Sequence, residues 1–196
     1  MGLPLRDRNH HSYGEYRRWP DDVRFELIGG VAYAMSPAPV RLHQRLVFEI
    51  AREIADSLED QPYEVNIAPF DVRLPEGDEA DDDIVTVLQP DISVVCDADK
   101  LDTAGCRGAP DWVIEVLSPH TAAHDQTVKL AAYERHGVRE CWLVHPTDRV
   151  VTVFTHVDGS YGRPASYELE GRLASLAVPA VGIDWARVLA GLPETG

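Results

Sequence analysis

The sequence predicts a single α/β domain in which a mixed β-sheet is flanked by helices. Short apolar runs bounded by Pro, Asp or Gly predict several strands. A helix is predicted over residues 41–59, because apolar residues recur there every four positions and form one face. These residues are Leu42, Leu46, Ile50, Ile54 and Leu58. With 196 residues, the chain is long enough for one domain with a full core, which we place at about residues 25–157.

The other elements follow in order along the chain. A β-hairpin is predicted at 25–35, since Gly29-Gly30 permits the positive φ angles of a tight turn before Ser36–Pro39 ends it. A second long helix is predicted over 123–136, ended by Gly137. The remaining predicted elements are a tail at 1–8, short helices at 13–19 and 185–189, a loop at 97–109, and strands at 63–68, 70–74, 84–88, 91–96, 112–117, 140–144, 150–156 and 166–169.

The composition excludes several classes of protein. No segment approaches the ~20 apolar residues of a membrane span, and residues 1–19 lack the apolar stretch of a secretory signal. Cys96, Cys106 and Cys141 are odd in number and lack CxxC spacing, which argues against disulfides and a structural zinc site. We therefore expect a cytoplasmic protein that does not contact a membrane.

The formal net charge of −15 is unfavourable for a nucleic-acid-binding protein, because neutralisation of phosphates supplies much of the affinity for DNA. Much of the acidic excess lies in 76–83, which we interpret as a solvated loop rather than a calcium-binding loop. The rest of the chain is still acidic. The charge thus argues against strong non-specific DNA binding.

Two carboxylates fall within predicted buried strands. Asp91 lies in Pro90–Val95, and Glu115 lies in Pro110–Leu117 on the face opposite Ile114 and Val116. An ionised carboxylate is costly to bury unless a cation or a hydrogen-bond donor compensates it. A divalent metal ion is one such partner. For Glu115 alone, the alternative is a carboxylate near a strand end that is bonded to backbone amides or to a helix terminus. Mg²⁺ or Mn²⁺ suits two carboxylates that leave room for water and phosphate.

The predicted helix after Glu115 adds three residues with a four-residue spacing, Asp125, Lys129 and Tyr133, which therefore share one face. Two interpretations stay open from the spacing alone. Asp125 and Lys129 could form a solvent-exposed pair with Tyr133 at its boundary. Lys129 could instead reach the scissile phosphate or the attacking water, where an ammonium stabilises negative charge.

Several of these motifs together resemble the Uma-type family of predicted restriction endonucleases, which belongs to the PD-(D/E)XK nuclease-like superfamily. The matching residues are Glu26–Gly30, His43-Gln44, Pro90-Asp91, Pro110–Pro119, Asp125, Lys129, Tyr133, Gly137 and Trp142. The resemblance covers roughly residues 25–146. It implies a restriction-endonuclease-like mixed central sheet flanked by helices, an αβββαβ core, with an added N-terminal β-hairpin.

The resemblance also implies roles for individual residues. Asp91 and Glu115 correspond to the metal-binding acidic residues of the superfamily. The superfamily's lysine should stand two residues after Glu115, where this chain has Leu117, so Lys129 is the implied replacement. Additional candidate site residues are Glu26, His43 and Gln44. Asp111 is interpreted as the structural start of its strand.

We therefore expect a Mg²⁺- or Mn²⁺-dependent endodeoxyribonuclease that hydrolyses phosphodiester bonds in DNA. Asp91 and Glu115 would hold the metal, and Asp91, Glu115 and Lys129 would be catalytic. A homodimer is a possible assembly, because nucleases that cut two strands often pair. The alternative is a catalytically inactive nuclease-fold module for binding or dimerisation, which the net charge and Leu117 favour.

Overall fold

The computed structural model describes residues 6–7, 9–20, 24–35, 40–59, 61–118 and 122–193. Its strands, in chain order, are β1 (Arg6–Asp7), β2 (Phe25–Ile28), β3 (Val31–Ala34), β4 (Glu64–Ile67), β5 (Val72–Arg73), β6 (Val87–Leu88), β7 (Ile92–Val95), β8 (Leu101–Asp102), β9 (Gly105–Arg107), β10 (Trp112–Val116), β11 (Glu140–His145), β12 (Val150–Val157), β13 (Ser160–Tyr161), β14 (Ala165–Glu168), β15 (Arg172–Ala174) and β16 (Gly182–Asp184). Its helices are α1 (Tyr13–Tyr16), α2 (Arg41–Ser57), α3 (Ala122–His124), α4 (Leu130–Arg135) and α5 (Trp185–Ala190). A π-helical segment, Asp125–Lys129, joins α3 to α4.

The larger strands form a mixed sheet, which we call the central sheet, in the order β13-β12-β11-β10-β7-β4, with β14 paired to β12. Strands β4, β7 and β10 are antiparallel neighbours, whereas β10 and β11 are parallel and are joined through α3 and α4. When α2, the central-sheet strands and the helices between them are taken alone, their order along the chain is α2-β4-β7-β10-α3/α4-β11. This confirms the predicted αβββαβ core with a mixed central sheet.

A second sheet, which we call the hairpin sheet, contains the predicted N-terminal β-hairpin. Its strand order is β1-β3-β2-β6-β5-β9-β8. The turn between β2 and β3 places Gly29 at φ 56° and Gly30 at φ 78°, as the glycine pair predicted. Strands β15 and β16 form a separate pair. The hairpin sheet brings Glu26, on β2, towards the central sheet.

Alternation along β10 divides the interior between two apolar clusters. Trp112, Ile114 and Val116 pack on one face with α2, α5 and Trp142. Val113 and Leu117 face the other side, where they join Tyr133 of α4 and residues of the hairpin sheet. Glu115 is 2% exposed and shares the face of Val113 and Leu117, so its carboxylate lies in the interior between the central sheet, α4 and the hairpin sheet.

Some predicted elements differ from the structure. The predicted loop 97–109 contains a short 3₁₀ turn, Ala98–Lys100, followed by β8 and β9. Within the predicted tail, Arg6–Asp7 pairs with β3. Both differences arise from very short strands that exist only because a neighbouring strand pairs with them. The predicted end of the hairpin at Ser36–Pro39 lies outside the described residues. No helix within the described part of the chain is long and apolar enough to cross a membrane.

Candidate active site

The register of the central sheet brings Asp91 and Glu115 to the same place. Trp112, Val113 and Ile114 of β10 pair with Val94, Ser93 and Ile92 of β7, and Asp91 directly precedes β7 at the end of β10 that carries Glu115. The backbone amide of Val116 also donates to Asp91 Oδ2 at 2.8 Å. The Asp91 side chain therefore lies beside Glu115, and its negative charge raises the pKa of that carboxyl.

Glu115 is held by two donors from the helical segment that follows β10. Lys129 Nζ lies 2.7 Å from Glu115 Oε1, and the Tyr133 hydroxyl donates to the same oxygen at 2.5 Å. All three residues are buried. Both contacts are to Oε1, and neither Lys129 nor Tyr133 contacts Oε2.

Lys129 also contacts Glu26 of the hairpin sheet, with Nζ 3.0 Å from Glu26 Oε1. The same oxygen accepts a hydrogen bond from the backbone amide of Gln89 at 2.9 Å. Asp125 Oδ1 lies 3.9 Å from Lys129 Nζ. Lys129 is only 4% exposed, so the interpretation of Asp125 and Lys129 as a solvent-exposed pair is wrong. The ammonium lies instead between two buried glutamates.

The electrostatics of this cluster are governed by a shortage of positive charge. Burial alone would raise the pKa of Glu26, but Lys129, His124 and the Gln89 amide lower it to about 2. Burial raises the pKa of Glu115 well above its usual range, by more than Lys129 lowers it, and Asp125, Asp91 and Glu26 raise it further. One ammonium thus faces four carboxylates.

The protonation state of Lys129 follows from the same cluster. Burial would lower its pKa, but the negative charges of Glu115, Glu26 and Asp125 raise it well above the usual value. Lys129 is therefore an ammonium at neutral pH. It can donate hydrogen bonds and stabilise negative charge, and it has no lone pair with which to act as a general base.

His43, at the N-terminal end of α2, contacts the other carboxylate. Its Nε2 lies 3.1 Å from Asp91 Oδ2, which also accepts the Val116 amide. Burial would lower the pKa of His43, but the hydrogen bond and charge of Asp91 raise it. Asp91 is thus oriented from two sides, and its Oδ1 is engaged by neither donor.

Two other residues considered from the sequence do not join the cluster. Gln44 is exposed on α2, so the structure does not bring this predicted residue into the site. Asp111 caps the other end of β10, where its Oδ2 accepts from the Cys96 amide at 2.8 Å and its Oδ1 accepts from Arg139 at 3.1 Å. These contacts support the structural role predicted for Asp111.

Comparisons with known proteins identify the family and the fold of this chain. The Uma2 family, described as "Putative restriction endonuclease", matches residues 13–186. The chain belongs to the Uma2 family. A solved structure described as "a putative nuclease belonging to DUF820", from Anabaena variabilis ATCC 29413, superposes with a TM-score of 0.73 at 18% identity. The match covers 93% of this chain and 99% of that one. No curated protein matches the chain. The family supports a nuclease role, and the superposed structure shows the fold.

Whether the site of this Uma2-family protein suits a divalent metal depends on its donor set. Among the residues that the structure describes, no group of three or more His, Cys, Asp or Glu side chains is arranged to hold a metal ion. Mg²⁺, however, commonly uses one or two carboxylates and takes its other ligands from water and phosphate. Asp91 and Glu115 each keep an oxygen clear of the contacts above, and the cluster has excess negative charge. These residues fit Mg²⁺ or Mn²⁺.

Sequence reasoning assigned no site role to three groups that the Uma2 fold places here. The Tyr133 hydroxyl and the Gln89 amide contact Glu115 and Glu26, and His124 Nε2 lies 3.7 Å from Glu26 Oε2. The four-residue spacing between Lys129 and Tyr133 could have predicted that the Tyr133 hydroxyl belongs to the site. The contacts of Gln89 and His124 depend on how the hairpin sheet packs, which no local pattern encodes.

Proposed function

We propose that this protein is a metal-dependent endonuclease that hydrolyses phosphodiester bonds in DNA. The observation that supports this most strongly is the contact between Lys129 and Glu115, beside Asp91. The same three chemical groups, two acidic residues and a lysine, stand together in the nuclease superfamily that the sequence resembles. Here the ammonium comes from the helical segment after β10, and Leu117, which stands in the superfamily's lysine position, is buried in an apolar cluster.

Asp91 and Glu115 would hold Mg²⁺ or Mn²⁺ through the oxygens that face neither Lys129 nor His43. When bound, such an ion lowers the pKa of a water ligand and offsets charge on the scissile phosphate. The bound ion would add the positive charge that the buried carboxylates lack when Lys129 is their only cation. Tyr133 and His43 fix the orientation of the two carboxylates, which is the usual task of groups behind metal ligands.

Lys129 would act as a hydrogen-bond donor throughout the reaction. Its ammonium is positioned by Glu26 and Glu115, so it loses little freedom when a phosphate arrives. Negative charge that develops on the phosphoryl oxygens is stabilised by a fixed cation in a site with little water. The substrate would be DNA, and a homodimer would allow both strands to be cut.

The alternative is an inactive nuclease-fold module for binding or dimerisation. One observation favours it: Lys129 already neutralises part of the charge of Glu26 and Glu115, so the cluster is partly compensated without any metal. The acidic net charge also favours it. Metal binding and cleavage distinguish the two proposals.

The deciding experiment combines calorimetry with a cleavage assay. Wild type, Glu115→Gln and Asp111→Asn are titrated with Mg²⁺ and Mn²⁺, then incubated with supercoiled plasmid and single-stranded DNA. We expect wild type and Asp111→Asn to bind metal and nick DNA, and Glu115→Gln to do neither. Asp111→Asn is the matched control, because it neutralises a carboxylate at the other end of the same strand. Wild-type protein that binds no metal and cleaves neither DNA would refute the proposal.

A further inference from the structure

A cavity of about 370 Å³ lies beside the candidate active site and has no role in the reaction proposed above. It opens between the segment that precedes β5 and the β8–β9 turn. Phe70 and Ala104 contribute apolar lining, and Asp71, Gln89 and Asp102 contribute polar lining. Its volume falls within the range of sites that accept small organic groups.

The polar wall of this cavity is built from interior hydrogen bonds. Asp71 Oδ1 accepts from the Tyr16 hydroxyl at 3.1 Å and from Gln89 Nε2 at 2.8 Å. Arg24 donates to Gln89 Oε1 at 2.5 Å, which fixes the orientation of that amide. Both contacts to the Asp71 side chain fall on Oδ1, so neither Tyr16 nor Gln89 engages Oδ2. Burial raises the pKa of Asp71, more than these donors lower it, so a further donor at Oδ2 would stabilise the carboxylate.

Two backbone contacts connect the cavity to the active-site cluster. Gln89 lines the cavity with its side chain, and its backbone amide donates to Glu26 Oε1 at 2.9 Å. Ala68, which directly precedes the cavity-lining residues Pro69 and Phe70, donates its amide to the carbonyl of Asp91 at 3.1 Å. A group seated in the cavity would therefore be a close neighbour of a phosphate at the cluster.

The lining selects the chemistry of the occupant. The Asp71 carboxylate disfavours a phosphate, and Asp102 is already paired with Arg73 at 2.7 Å. An uncharged group with N–H donors would satisfy Asp71 Oδ2. Pro69, Phe70 and Ala104 add apolar atoms to a mostly polar lining, which suits a flat ring with polar edges. Adenine, cytosine and guanine carry an exocyclic amine, and an acidic side chain accepts well from such an amine. Thymine instead presents carbonyl oxygens beside its single N–H, and these oxygens repel a carboxylate.

We propose that this cavity binds an amino-bearing nucleobase next to the cleaved phosphodiester and that Asp71 determines the preference for it over thymine. This inference rests on the proposed nuclease function. In this inference Asp71 determines specificity, and the roles proposed for the metal ligands and for Lys129 stay the same.

The test uses isotope-labelled full-length protein titrated with 2′-deoxycytidine or thymidine while the backbone amides of Gln89, Ala104 and Gly105 are followed by NMR. We expect deoxycytidine to bind about five- to tenfold more tightly than thymidine, the size of one hydrogen bond. Asp71→Asn should abolish or reverse this ratio, because its amide donates where Oδ2 accepted. Asp158→Asn, the same change at an exposed turn, should preserve the ratio.

Ala104→Leu provides a second variant, because Ala104 is exposed and a larger side chain there would fill the cavity without disturbing the core. It should remove the nucleoside-induced shifts. Equal affinity for the two nucleosides, no shifts at these amides, or an unchanged ratio in Asp71→Asn would overturn the inference.

Plasmid cleavage by the same preparations separates this inference from the proposed function. Cleavage without discrimination between the nucleosides refutes the inference alone. Discrimination without cleavage refutes the nuclease proposal. The cavity would then still be a base-binding site, but it would not lie next to a cleaved phosphodiester.

Discussion

Lys129 Nζ lies 2.7 Å from Glu115 Oε1, although the two residues belong to different elements and both are buried. Lys129 ends the π-helical segment that follows β10, and Glu115 lies within that strand. Such π-helical turns are frequent at functional sites. This turn places Lys129 beside the carboxylate of Glu115, whereas Leu occupies position 117, where the superfamily has its lysine.

Replacing Lys129 with Met should abolish most cleavage and reduce stability. Glu26 and Glu115 would lose their shared cation, and an unpaired buried charge typically costs about 3–5 kcal/mol. Loss of the donor to the phosphate should lower the cleavage rate by at least about 100-fold. Both effects are measured on one preparation, by plasmid nicking and by urea unfolding.

Lys100→Met is the matched control, because Lys100 and Lys129 are the only lysines of the chain and Lys100 donates to the Ala109 carbonyl away from the cluster. It should cleave at the wild-type rate. Equal rates for wild type and Lys129→Met would contradict the catalytic role of Lys129.

Glu26→Gln should remove a contribution to stability that wild type has at neutral pH and loses in acid. The pKa of Glu26 is about 2 in the folded protein, below its ordinary value of 4.5, so its ionisation stabilises the fold above pH 4.5. That stabilisation is lost as the pH falls from 4.5 through about 2 and corresponds to roughly 3 kcal/mol. The difference in unfolding free energy between wild type and Glu26→Gln should therefore shrink over this interval. A difference that is constant with pH would contradict the assignment.

Tyr133→Phe should weaken both the fold and the metal site. The phenol is buried and donates to Glu115 at 2.5 Å, so its loss should cost about 1–3 kcal/mol of stability. Because Tyr133 orients a proposed metal ligand, metal affinity or activity should fall by about 10- to 100-fold.

Tyr161→Phe is a control for the Tyr133 substitution. The hydroxyl of Tyr161 is buried and has no hydrogen-bond partner within the described part of the chain. Its removal should leave stability and metal affinity close to those of wild type. Similar losses in both variants would show that the Tyr133 bond has no special role.

His43→Asn should lower stability more in acid than in base when metal is absent. The pKa of His43 is raised by Asp91, in spite of burial, so the protonated ring stabilises the fold below its ordinary pKa of 6.5. This contribution is lost as the pH rises through the higher pKa of the folded state. Urea unfolding at about pH 6 and about pH 9, in chelator, should show a larger wild-type advantage at the lower pH. A larger advantage at the higher pH would refute the ion pair.

Much of the fold could be predicted because its main elements follow local patterns. The four-residue spacing of α2, the Gly29-Gly30 turn, and the apolar runs of β7 and β10 each satisfy a local rule. Strands β8 and β9 could not be predicted, because each is only two or three residues long and depends on pairing. Gly105 illustrates this dependence, since a Cβ there would lie 2.3 Å from the Asp71 carbonyl of the neighbouring segment.

The candidate site was predictable to a different extent for each residue. Asp91 and Glu115 were indicated by strand patterns, and Lys129 by its helical spacing and the family resemblance. The sequence placed Gln44 beside His43 as an equal candidate, but adjacent residues on a helix point in different directions, and only His43 reaches Asp91. Glu26 comes from a different sheet, so its contact with Lys129 required the packing of both sheets.

The sequence by itself determined which residues are candidates for the site and which elements contain them, because periodicity and turn residues act over short distances along the chain. Only the tertiary structure decided that Glu26 and Glu115 share the Lys129 ammonium, that Asp91 lies beside Glu115, and that the surrounding carboxylates keep Lys129 charged in spite of its burial. Those outcomes depend on strand register and on the exclusion of water between two sheets, and both are properties of distant segments brought together.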